Sequence, residues 1–153
     1  MKKTVFQCTG NALLFTLLGL AFLFPFSEIT QTEYGFSGTI TILPFLLMAY
    51  LMAYPILFCV LAKKYGWGKR DNSELTYSDE RERVIVAEST KTAYKVLIGG
   101  LIVTIAAIGC VRFFSLSTGM VISIYSTSIA LVTALLVIAT ISYCVKWCSE
   151  YQK

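Results

Sequence analysis

Four long apolar runs, residues 5–26, 40–62, 96–114 and 120–145, hold a single formal charge between them, Arg112. A helix needs about 20 mostly apolar residues to cross a hydrocarbon core of about 30 Å, and each run meets or approaches that length. The helix of a soluble core shows an apolar stripe with a polar back; these runs are apolar all round, as lipid-facing helices are. Only 14% of the 153 residues are charged, which leaves little chain for a soluble module. The expected fold is an all-α integral membrane protein forming one membrane domain over 1–153. Its four transmembrane helices, at about 5–26, 38–62, 96–114 and 120–145, pair as two hairpins.

The orientation follows from the basic residues. Lys2, Lys3, Lys63, Lys64, Lys69, Arg70, Arg81, Arg83, Lys91, Lys95, Lys146 and Lys153 all fall on one side of such an arrangement. The loop 27–37 on the other side carries only Glu28 and Glu33, and the turn 115–119 carries no charge. Short loops rich in Lys and Arg stay in the cytoplasm, so both termini are expected there. The net charge of +4 is explained by this bias and by anionic headgroups, and gives no reason to expect nucleic acid. The start Met1-Lys2-Lys3 followed by an apolar run resembles a secretory signal. That run ends Phe22-Leu23-Phe24-Pro25-Phe26, without the small residues a cleavage site needs, so an uncleaved first span is expected.

The one hydrophilic stretch of size is the cytoplasmic segment 63–95. Residues 63–73, with Gly66, Gly68 and Asn72, read as irregular. From Ser78 onward the pattern is helical: Ser78 is an N-cap, Asp79, Glu80 and Glu82 load the first turn, and Asp79 lies four residues before Arg83. No glycine or proline follows until Gly99, so the third helix is expected to extend into the cytoplasm and stand about 25 Å proud of the membrane.

In the second span Pro44 and Pro55 share a face and are the expected kink positions, with Tyr50 and Tyr54 beside them. Hydroxyls in hydrocarbon need acceptors, and carbonyls freed by Pro55 are the expected ones. Small-residue stripes mark the expected helix contacts: Ala12, Thr16 and Gly19 in span one, Gly99, Ala106 and Gly109 in span three, Ser123, Ser126, Ala130 and Ala134 in span four.

No histidine occurs, and no Asp, Glu or Lys lies well inside a run. Proton-coupled transporters need ionisable groups at membrane depth, so that class is excluded, as are the small multidrug exporters with a carboxylate in the first span. Arg112 reads as an anchor to the outer headgroups, as an ion-pair partner of Glu28 or Glu33, or as a contact for an anion or substrate. Cys8, Cys59, Cys144 and Cys148 gather toward the cytoplasmic ends, without a close C-x-x-C pair, and read as small apolar side chains rather than metal ligands. Nothing assembles a nucleophile with an acid–base pair, so no enzyme, cofactor or metal is expected.

The segment Asp79-Glu80-Arg81, followed by Ile85 and leading into a span, resembles small uncharacterised prokaryotic four-helix membrane proteins. These carry an Asp-Glu-Arg-x-x-x-Ile motif at the head of the third helix. The resemblance implies a four-helix fold and a role as a membrane receiver, an immunity protein or a transporter accessory. The leading expectation is a non-enzymatic protein that binds a regulator, a transporter or a membrane complex through Asp79, Glu80, Arg81 and Arg83. Immunity against a membrane-active peptide and passive conductance stand behind it, and self-association is left open.

Overall fold

The computed structural model describes residues 2–32, 35–65, 80–118 and 123–152; for Lys2, 27–38 and 114–118 it describes the backbone alone. Helix α1 spans Lys2–Leu23, α2 Ile42–Tyr65, α3 Glu80–Thr118 and α4 Ile124–Gln152. All four are long and apolar enough to cross a membrane.

Between α1 and α2 the chain forms an antiparallel ribbon of β1, Phe26–Thr32, and β2, Gly35–Ile40. The sequence predicts a loop over 27–37, and the structure has this ribbon in its place. The ribbon follows from aromatic and β-branched residues at Phe26, Ile29, Thr30, Thr32, Phe36, Thr39 and Ile40, in a stretch too polar to continue either span. Its register slips between Phe26 and Glu28. Thr41 ties its base, donating from its amide to the Pro25 carbonyl at 3.0 Å and from Oγ1 to the Phe24 carbonyl at 2.5 Å.

The helices lie in a row, α2–α1–α4–α3, with each making its main contacts to its neighbours in that order. The contacts fix the directions. Phe6 stacks on Phe58 and Tyr54, Gly19 meets Thr133, and Trp147 packs on Ile85 and Val86, so neighbours run antiparallel. Consequently the start of α1, the end of α2, the start of α3 and the end of α4 share one end of the molecule.

The packing faces are not those expected from the small residues. Gly99, Ala106 and Gly109 are exposed on α3, and a Cβ at Gly99 or Gly109 would meet nothing within 4 Å. It is the adjacent Gly100 that approaches α4, against Leu135, with Thr104 buried one turn on. On α4, Ala130 and Ala134 are exposed, whereas Leu135, Ala139 and Trp147 are buried. Ser123 caps α4 instead of packing it, its Oγ accepting from the Ser126 amide at 3.3 Å. On α1, Gly19 is buried against Thr133 as a contact residue, while Thr16 is exposed and donates to its own helix at Ala12. Small residues permit close approach in lipid, but they also sit harmlessly on lipid-facing surfaces, so composition alone leaves the face undetermined. Residues 115–118, expected as a turn, are helical, because α3 continues through Thr118; Gly119 lies outside the described residues.

Candidate functional site

Two regions gather groups able to do more than pack: the shared end where α3 begins and α4 stops, and a cleft just above it.

At the shared end, α3 and α4 are locked together by a small core. Trp147 is 3% exposed and sits on Ile85 and Val86, with Tyr143 and Cys148 packed beside it. Trp147 also stacks on Tyr151 at 4.9 Å between ring centroids. Ser89, fully buried on this face, turns its Oγ back to the Ile85 carbonyl at 2.7 Å and so leaves no unmet polar group. Lys146 donates to Glu150 at 2.6 Å, and this hydrogen bond holds the ammonium above its ordinary pKa. The third helix therefore does not stand alone: Trp147 of α4 packs on its second turn.

The expected partner-binding residues divide accordingly. Asp79, with the Ser78 cap, lies outside the described residues. Glu80, Arg81 and Arg83 are exposed on the first turn of α3, and Val84 beside them is 61% exposed. Ile85, the last residue of the Asp-Glu-Arg-x-x-x-Ile pattern, is core against Trp147 rather than surface. Charged residues thus point outward on a segment whose opposite side is fixed.

The cleft, about 290 Å³, opens between α1 and α3 and is floored by α4. Cys8 and Asn11 line it from α1, Thr90 and Ala93 from α3, and Ala139, Thr140 and Tyr143 from α4. Sequence reasoning passed over Asn11, Thr90 and Thr140. The available signal was Asn11, an amide within an apolar run, where a polar side chain asks for a polar environment.

Other expected site residues are placed without being brought together. Arg112 is exposed near the far end of α3. The Glu28 side chain and all of Glu33 fall outside the described residues, as does any pairing with them. Pro44 is the third residue of α2, where its missing N–H is among those a helix leaves unbonded anyway. Pro55 is interior, and α2 continues past it as one helix to Tyr65. Tyr50 does not turn to carbonyls freed by Pro55: its hydroxyl donates across to the Gly10 carbonyl of α1 at 2.8 Å. Tyr54 stacks between Phe6, at 5.8 Å, and Tyr50, at 5.5 Å, over the space left by Gly10. These aromatics are the seam between α1 and α2.

Cys8 is buried, Cys144 and Cys148 are half-buried, and none of the five cysteines is joined in a disulfide. Among the described residues no three His, Cys, Asp or Glu side chains gather as a metal would require. Searches of protein families, curated proteins and solved structures each returned no match.

Proposed function

We propose that this chain is a non-enzymatic, multi-pass protein of a prokaryotic plasma membrane that works by binding another protein at its cytoplasmic end. In this reading both termini are cytoplasmic, the helices form two hairpins, and α3 carries the docking surface beyond the membrane. The observation that carries it is the first two turns of α3. Arg81, Arg83 and Val84 face solvent, while Ile85 and Val86 are fixed against Trp147 of α4 and Ser89 is fully buried. A partner of complementary charge meets a preformed surface and loses little ordering entropy there, and any shift of the helix pair is transmitted along a span. Acidic groups on the partner would meet Arg81 and Arg83, with Val84 as an apolar contact.

The test compares pull-downs from native membranes for wild type and the Arg81→Glu/Arg83→Glu variant. Loss of a specific protein from the variant is expected. An unchanged list of captured proteins rejects this surface.

One observation favours a second reading, immunity against a membrane-active peptide. α2 has no buried residue among those described, and Pro55, Ile56, Cys59, Val60 and Lys63 line a shallow groove of about 300 Å³ on it. Deleting the gene and measuring inhibitory concentrations of cationic peptides tests it; unchanged concentrations across the panel dismiss it.

A further inference from the structure

The cleft between α1 and α3 is lined by polar and apolar side chains, none of them charged. It stands at the edge of the apolar runs. Asn11 and Ala139 lie six residues inside the runs of α1 and α4, while Thr90 lies six residues short of the run of α3. At about 1.5 Å per residue, the cleft therefore straddles the hydrocarbon boundary within roughly 9 Å on either side. A bilayer presents its glycerol and ester oxygens at that level.

Two polar groups facing the cleft are not used by the protein itself. Among the described residues, the Asn11 amide of α1 and the Thr90 hydroxyl of α3 take part in no hydrogen bond. By contrast, Ser89, Thr92 and Thr140 turn their hydroxyls back to the Ile85, Glu88 and Leu136 carbonyls of their own helices. The Thr140 oxygen can still accept a hydrogen bond. An amide at the edge of hydrocarbon that meets no protein group favours a polar partner from the bilayer. No cation reaches the same space. Helical spacing turns Lys91 and Lys95 away from the face of α3 that carries Thr90 and Ala93, and Lys91 pairs with Glu88. Lys146, one turn beyond Tyr143 on α4, is held by Glu150 at 2.6 Å.

We propose that this cleft binds the head of an uncharged glycerolipid, a diacylglycerol. Asn11 and Thr90 donate to its ester carbonyls, and the Thr140 oxygen accepts from its free hydroxyl. Cys8, Ala93 and Ala139 cover the first methylenes of the chains. A phosphate in the same place meets no counter-charge, and burying an unpaired charge is costly, so phospholipids are disfavoured. At about 290 Å³ the cleft takes a head and not a whole lipid, since pockets for complete ligands run from about 300 to 1,000 Å³. The acyl chains leave sideways, because α1 and α3 each pack on α4 and not mainly on each other.

The inference rests on the membrane-spanning reading of the helices and is independent of the protein partner. The purified full chain in nonionic detergent is titrated with dioctanoylglycerol, dioctanoyl phosphatidylcholine, dioctanoyl phosphatidylglycerol or free glycerol while the unfolding midpoint is followed. Dioctanoylglycerol should raise the midpoint at mole fractions where the other three do not. Asn11→Leu and Thr90→Val should each raise the amount needed by about threefold, the factor for one hydrogen bond within a membrane. Lys91→Gln, on the far face of α3, should leave the response unchanged. A diacylglycerol carrying a diazirine beside its ester, photolysed with wild type, needs no variant to fold and should label α3 and α4 around Ala93 and Ala139. Equal responses to the phospholipids, a full response to free glycerol, an unaltered response in both Asn11→Leu and Thr90→Val, or labelling no heavier at the cleft than at lipid-facing Ile105 would each overturn the site. Arg81→Glu/Arg83→Glu should keep the response, which separates failure of this site from failure of the docking surface.

Discussion

Gly99 and Gly100 are neighbours in one helix that face opposite ways, and this pair allows the packing of α3 on α4 to be isolated. Changing either to Ala alters intrinsic helix preference by the same amount, a gain of about 0.8–1.0 kcal/mol. At Gly99 the new methyl meets nothing within 4 Å. At Gly100 it collides with Leu135 Cδ1 and lies 3.3 Å from Cγ and 3.5 Å from Cδ2. Leu135 is itself buried, at 7% exposure, so its side chain has little room to swing aside. Overpacking of this kind costs about 1–3 kcal/mol, and because the preference term is common, that is the expected gap between the two variants. For a chain of this size the gap corresponds to roughly 2–12 °C in melting midpoint. Thermal unfolding in detergent, checked by denaturation in mixed micelles, reads it. Gly99→Ala should melt at or above wild type and Gly100→Ala below Gly99→Ala. Coincident midpoints would refute the assigned α3–α4 face.

Further expectations follow from the same contacts. Ala106→Leu should leave the midpoint within about 0.5 kcal/mol of wild type, as a surface change does, whereas Gly19→Ala should lower stability because its Cβ would come within 2.9 Å of Thr133 Cβ. Trp147→Ala should cost about 3–5 kcal/mol by removing the plug between α3 and α4, measured by denaturant unfolding, and should speed amide exchange over Glu80–Ser89. Tyr50→Phe, which removes one hydrogen bond to Gly10, should cost only about 0.6 kcal/mol in the same assay. Gly10→Ala should cost more, because its methyl would lie 2.5 Å from Tyr54 Cζ in a ring already stacked on both sides.

Helix number was legible because it depends on length and hydropathy, both of which are local. The four spans and the helical start of α3 near residue 80 needed nothing from the rest of the chain. Packing faces were not legible, because lipid covers an exposed Gly109 as well as a partner helix would. Only a neighbour's shape, such as Leu135 against Gly100 or Tyr54 over Gly10, selects the face. The ribbon at Phe26–Ile40 was missed because strand pairing requires two segments to be judged together. The cleft was missed for a similar reason. Asn11, Thr90 and Thr140 lie far apart in sequence and meet only once α4 has been placed between α1 and α3. Arg81 and Arg83 were legible as surface, while the burial of Ile85 depended on Trp147, sixty-two residues later.

The exposed first turns of α3 are the proposed contact for another protein. A photoreactive amino acid placed at Val84, with Ile105 on the exposed membrane face as control, can be activated in native membranes. The account predicts a discrete protein adduct from position 84 that disappears in the Arg81→Glu/Arg83→Glu background, and only lipid adducts from position 105. Absence of a protein adduct at 84, or the same adduct from both positions, would contradict it.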